Sequence, residues 1–114
     1  MNIAVVLFVL AALGGLAMLV IRLKGASRPP TWMALGHGVI ALLGLATLGV
    51  FYTQTVLPPS AGWALVVFIL AALGGITVFV GFHLRNRPLP IPIVIGHGLI
   101  AATGIALLLK AIYS

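Results

Sequence analysis

The sequence predicts an all-α transmembrane fold: an up-down-up-down four-helix bundle made of two tandem, parallel two-helix repeats. Three observations lead there. Of 114 residues, 63% are hydrophobic and 5% are charged, whereas charged residues make up about a quarter of a soluble domain. Four apolar runs, near residues 3–22, 31–52, 62–82 and 91–113, each have the roughly 20 residues that a bilayer crossing requires. Residues 1–54 laid over 61–114 without a gap give 19 identical pairs, and repetition at one fixed period marks a duplicated structural unit.

The first run, Met1 to Val20, lacks the basic leading region of a secretory signal and its apolar stretch is too long, so it is read as a membrane helix. It ends in a loop carrying Arg22, Lys24 and Arg28. The second run follows Arg28-Pro29-Pro30, where a proline at the first helical turn loses no hydrogen bond. An uncharged connection, Thr53 to Ser60, leads to the third run, and a second basic loop with Arg85 and Arg87 follows it. Pro88, Pro90 and Pro92 then introduce the fourth run, which contains Lys110 near its end. Trp63, Tyr52 and Tyr113 fall at predicted helix ends, where aromatic side chains anchor to the membrane interface. Short connections favour antiparallel neighbours. Because each repeat, 1–54 and 61–114, has an even number of helices, both copies enter the membrane in the same sense, unlike the inverted repeats of many transporters.

Together the four runs use almost the whole chain, a single membrane domain over residues 1–114, so chemistry is expected inside the bundle or on its loops. There is no cysteine, which excludes disulfides, thiolate metal sites and thiol nucleophiles. There is also no Asp or Glu, so all six Lys and Arg residues are uncompensated. Their concentration in two loops predicts that both loops are cytoplasmic and both termini outside, in a bacterial inner membrane. Contact with anionic lipid headgroups accounts for such charges. A nucleic-acid partner is not expected of basic residues at a membrane edge.

His37 and His97 stand seven residues beyond the equivalent prolines Pro30 and Pro90, about 10 Å into the bundle at the same depth. Ionisable side chains at such depth are functional candidates, since hydrocarbon offers them no partner. An approximate two-fold axis along the membrane normal would turn the two imidazoles toward each other, as axial ligands clamp a single iron. Duplication would equally copy a structural, hydrogen-bonded histidine, so the neighbouring residues matter. Ala41 and Gly44 follow His37 at i+4 and i+7 on one face, Ala101 and Gly104 repeat this around His97, and Gly14-Gly15 and Gly74-Gly75 lie near mid-membrane on the first and third helices. These small residues predict a groove that a flat ring can enter, although small residues also serve close helix packing. His83 replaces Leu23 of the first copy and is expected to be a water-exposed titratable group at the loop end of the third helix.

Together, His37, His97 and the four glycines resemble the haem-binding four-helix bundle of membrane cytochromes b. In that family, histidines from the second and fourth helices ligate haem and glycines in the first and third make room for the ring. The resemblance covers essentially the whole chain but rests on single residues and their spacing. It implies His37 and His97 as ligands of one haem b, with Gly14 or Gly15 and Gly74 or Gly75 at the ring. Larger members commonly hold two haems; here no second histidine pair exists, so one haem is expected, in the cytoplasmic half. Arg28, Arg85 and Arg87 are the expected partners of its propionates.

The resulting expectation is a single-haem membrane cytochrome that passes electrons to or from a quinol or another membrane redox subunit. Two imidazoles saturate the iron, which favours electron transfer over catalysis at the metal. The alternative is a structural or pigment-binding accessory subunit of a larger membrane complex. A small transporter working as a homo-oligomer is disfavoured, because there is no membrane-embedded carboxylate to couple protons.

Overall fold

The computed structural model describes all 114 residues as four long helices: α1 (Asn2–Leu23), α2 (Thr31–Gln54), α3 (Pro59–Val78) and α4 (Ile91–Tyr113), with a π-helical segment, Phe79–His83, continuing α3. All four are long and apolar enough to cross a membrane. The molecule measures 44 × 20 × 19 Å, and its long dimension matches a bilayer with its headgroup layers, about 40–45 Å. Only 14 of the 114 residues are buried. Leu13, Leu16, Leu42, Leu73 and Leu99 are each more than half exposed, an outer surface that only lipid solvates well. These facts support an integral membrane protein.

Helix starts follow the prolines. Pro30, Pro58 and Pro90 precede the first residues of α2, α3 and α4, and prolines also occupy the first turns of α3 and α4. The third helix therefore begins at Pro59, three residues before the apolar run, because Pro59 and Ser60 suit a first turn. No helix has a side-chain N-cap. Both basic loops reverse through left-handed residues, Gly25 at φ 111° and Asn86 at φ 57°, and glycine adopts that conformation without strain.

The two basic loops lie against each other. Leu89 N donates to Ser27 O at 3.0 Å, Arg22 Nε donates to Leu89 O at 3.0 Å, and Arg28 donates to His83 O at 2.8 Å. Along the bundle from there, α1 contacts both α2 and α4, and α3 contacts both α4 and α2. The buried core draws on the N-terminal halves of α1 and α3 and the C-terminal halves of α2 and α4. There Phe8 and Phe68 stack face to face, with centroids 3.7 Å apart and planes 1° from parallel. Ala4, Ala64, Leu48 and Leu108 complete this core and are fully buried. Residues 4, 8, 44 and 48 thus share their burial with residues 64, 68, 104 and 108, the same 60-residue offset that relates the sequence halves.

Candidate functional site

His37 on α2 and His97 on α4 come together inside the bundle, with ring centroids 6.1 Å apart and planes at 77°. Each is held by the helix that precedes its own in the chain. Nδ1 of His37 lies 2.7 Å from Ala11 O on α1, and Nδ1 of His97 lies 2.8 Å from Ala71 O on α3. A carbonyl can only accept, so Nδ1 carries the proton in both rings. In the neutral imidazole Nε2 is then an unprotonated lone pair, and the only hydrogen bond of each ring is the one at Nδ1.

Glycine makes these bonds possible. In an α-helix, the side chain of residue i+4 lies beside the carbonyl of residue i, so a side chain at 15 would crowd the approach to Ala11 O. A Cβ at Gly15 would stand 3.0 Å from His37 Cε1, and one at Gly75 would stand 3.1 Å from His97 Cε1. Gly14 and Gly74 are less constrained: a Cβ there would meet the same histidines at 4.0 and 3.7 Å. The glycines of α1 and α3 therefore seat the imidazoles directly.

A cavity of about 330 Å³ extends from the histidines toward the basic loops and includes Gly15, Gly75, Ala41, Arg22 and His83 in its lining. Its walls are largely apolar. The structure separates the small residues assigned to the histidine groove by sequence. Ala41 lines the cavity, but Gly44 and Gly104 do not. A Cβ at Gly44 would meet the Phe8 ring at 3.1 Å, and one at Gly104 would meet Phe68 at 2.8 Å. These two glycines give room to the stacked phenylalanines. Ala101 is partly exposed and also lies outside the cavity.

The basic residues sort similarly. Arg85 and Arg87 are exposed and do not line the cavity. Arg28 is partly buried and is bonded to a backbone carbonyl of the neighbouring loop. Arg22, which is not among the expected propionate partners because it does not immediately precede a histidine helix, is the one arginine in the lining.

His83 corrects an expectation. It is 2% exposed, not open to water. Its Nε2 lies 3.1 Å from Thr31 Oγ1, its ring stacks on Phe79 with centroids 5.2 Å apart, and its Nδ1 is buried with no partner. The cause is the π-helical segment Phe79–His83, in which Leu84 N bonds Phe79 O at 2.9 Å. The wider turn departs from the regular α-helix at the equivalent residues of α1.

The separation of the two imidazoles suits one group held between them: metal–imidazole bonds are about 2 Å long, and adding the half-width of each ring puts two imidazoles on one metal ion about 6 Å apart between centroids, against the 6.1 Å found with planes at 77°. The Nδ1–H···O=C bonds are the outer-shell contacts that fix ligand tautomer and orientation at metal sites. No group of three or more His, Cys, Asp or Glu side chains exists to complete an all-protein metal site. No protein-family model, curated protein or solved structure matches the chain.

Proposed function

We propose that the chain is a single-haem b-type membrane cytochrome, with His37 and His97 as the residues that would ligate its iron. The observation that carries this reading is the pair of imidazoles with centroids 6.1 Å apart, each with Nδ1 committed to a carbonyl and Nε2 without a hydrogen-bond partner. Two lone pairs in an apolar cavity, in a chain with no carboxylate or thiol, suit an ion that brings its remaining ligands with it. A tetrapyrrole iron meets that condition. When bound, haem supplies reversible one-electron chemistry, and two histidines leave no open position on the iron.

The chain's own contribution is positional. Ala11 and Ala71 carbonyls hold the imidazoles in one tautomer and orientation. Gly15 and Gly75 give them room, and the apolar walls exclude water. Phe8 and Phe68 fill the bundle axis beyond the histidines, which favours one cofactor in the half nearer the basic loops. The two hairpins are read as parallel repeats related by a rotation of about 180° around the membrane normal, consistent with their shared burial pattern. The loops are assigned to the cytoplasm and the termini to the outside, on the bias of Lys and Arg. Electron exchange with a quinol or a neighbouring redox subunit follows from a cofactor held near one membrane surface.

The test is a visible absorption spectrum of the purified protein, oxidised and then reduced. Low-spin bis-histidine haem bands are expected. Protein expressed with adequate haem supply that carries none would overturn the reading. The structural-subunit alternative would then stand, with the Nδ1 bonds acting only as interhelical ties.

A further inference from the structure

We propose that Arg22 and His83 form an acid-binding end of the cavity, holding a carboxylate of the molecule that occupies it. Both residues line the same cavity as His37 and His97, whereas Arg28, Arg85 and Arg87 do not. Arg22 is partly buried in a protein that contains no Asp or Glu, so no internal carboxylate can neutralise it. Its position in the last turn of α1 suits a cation at the negative end of the helix dipole. That role does not use the whole group. Nε is bonded to Leu89 O at 3.0 Å, and Nη1 is 3.5 Å from Ala26 O. A guanidinium has five N–H donors in a planar fork, so at least three remain for a ligand. The Leu89 bond fixes the fork in place, as bidentate carboxylate recognition requires.

His83 supplies the second observation. Its ring is immobilised by Phe79 and by Thr31, and its buried Nδ1 has no partner. An unsatisfied buried polar atom is costly and calls for a group the protein does not provide. With the Thr31 hydroxyl donating to Nε2, Nδ1 carries the proton and becomes a donor. A guanidinium and an immobilised imidazole that line one apolar cavity are matched to an amphiphile with an acidic head. The carboxylate has two possible sources, a tetrapyrrole propionate or a fatty acid. The first of these rests on the haem reading.

The experiment measures equilibrium binding to detergent-purified apoprotein of haem and of its dimethyl ester, then of palmitate and of methyl palmitate. A charge-assisted pair of this kind should favour each free acid over its ester by at least about tenfold. Arg22→Gln should reduce the preference to near unity and Arg22→Lys should restore part of it. His83→Leu, which fills the same volume without a donor, should reduce it as well. Acid preference with haem, lost in Arg22→Gln while the low-spin bands persist, supports the site with propionate as its ligand. Preference with palmitate alone supports it with a lipid acid, and overturns the haem reading if neither porphyrin binds. Equal binding of acid and ester in both pairs, or a preference unchanged in both Arg22→Gln and His83→Leu, overturns the proposal. In that case a low-spin haem spectrum would still uphold the histidine ligands.

Discussion

At the scale of single residues, the two histidines present the same chemistry: one carbonyl bond each, 2.7 and 2.8 Å long, and one free Nε2. His37→Ala and His97→Ala are therefore expected to abolish the low-spin bis-histidine spectrum to a similar degree, measured on purified protein by visible absorption and electron paramagnetic resonance. An unchanged low-spin spectrum in the double variant would remove both from the ligand set. Gly15→Ala tests the seat of the ligand and not the ligand itself. A Cβ 3.0 Å from Cε1 requires the imidazole to shift by a few tenths of an ångström against its bond to the Ala11 carbonyl, and overpacking of this kind costs about 1–3 kcal/mol. Bound haem should fall while His37 is intact, whereas Gly14→Ala, with 4.0 Å of clearance, should retain it. The histidine pair was legible in the sequence because depth and repeat spacing both follow from a regular helix. His83 was not, because its burial depends on a π turn that departs from the 3.6-residue period on which sequence reading relies. An extra signal was present in hindsight: a histidine opposite Leu23 of the other copy marks where the repeat breaks.

At the scale of the elements, four membrane-length helices were legible from apolar run length, and their starts from the prolines. The role of the small residues on α2 and α4 was not, because helical spacing places Ala41 and Gly44 on one face without saying which neighbour fills it. Phe8 and Phe68 fill the lower part of that face, so the groove is shorter than the small residues suggest. The two glycine contacts are unequal. A Cβ would lie 3.1 Å from Phe8 at Gly44, but 2.8 Å from Phe68 at Gly104. Gly104→Ala is therefore expected to destabilise the bundle more than Gly44→Ala, by about 1–3 kcal/mol in total for the tighter site, measured by thermal or denaturant unfolding in detergent. Equal losses would show that the rings shift freely. Neither substitution should alter a haem spectrum in protein that remains folded, since neither glycine reaches the histidine cavity. Loss of the spectrum without loss of stability would restore Gly44 and Gly104 to the cofactor site.

At the scale of the whole molecule, the contact between the two basic loops organises everything else. Their residues are 67 positions apart where Arg22 meets Leu89, a proximity that no local pattern predicts and that brings several of the protein's cations to one end. Anionic lipid headgroups, which concentrate on the cytoplasmic leaflet and attract each nearby Lys or Arg by about 1 kcal/mol, would relieve the repulsion among them. The uncharged connection at the other end, where Val56 is fully exposed, has no such preference. The orientation that places the basic loops inside is accordingly the one expected. Because the protein contains no cysteine, single introduced thiols report on it directly. Ser27→Cys lies in an exposed stretch of a basic loop and Val56→Cys in the uncharged connection. A membrane-impermeant maleimide added to intact cells should label Val56→Cys and leave Ser27→Cys untouched until the membrane is opened. The reverse pattern would invert the assigned topology, and would place the histidines and the Arg22 end of the cavity in the outer half of the bilayer.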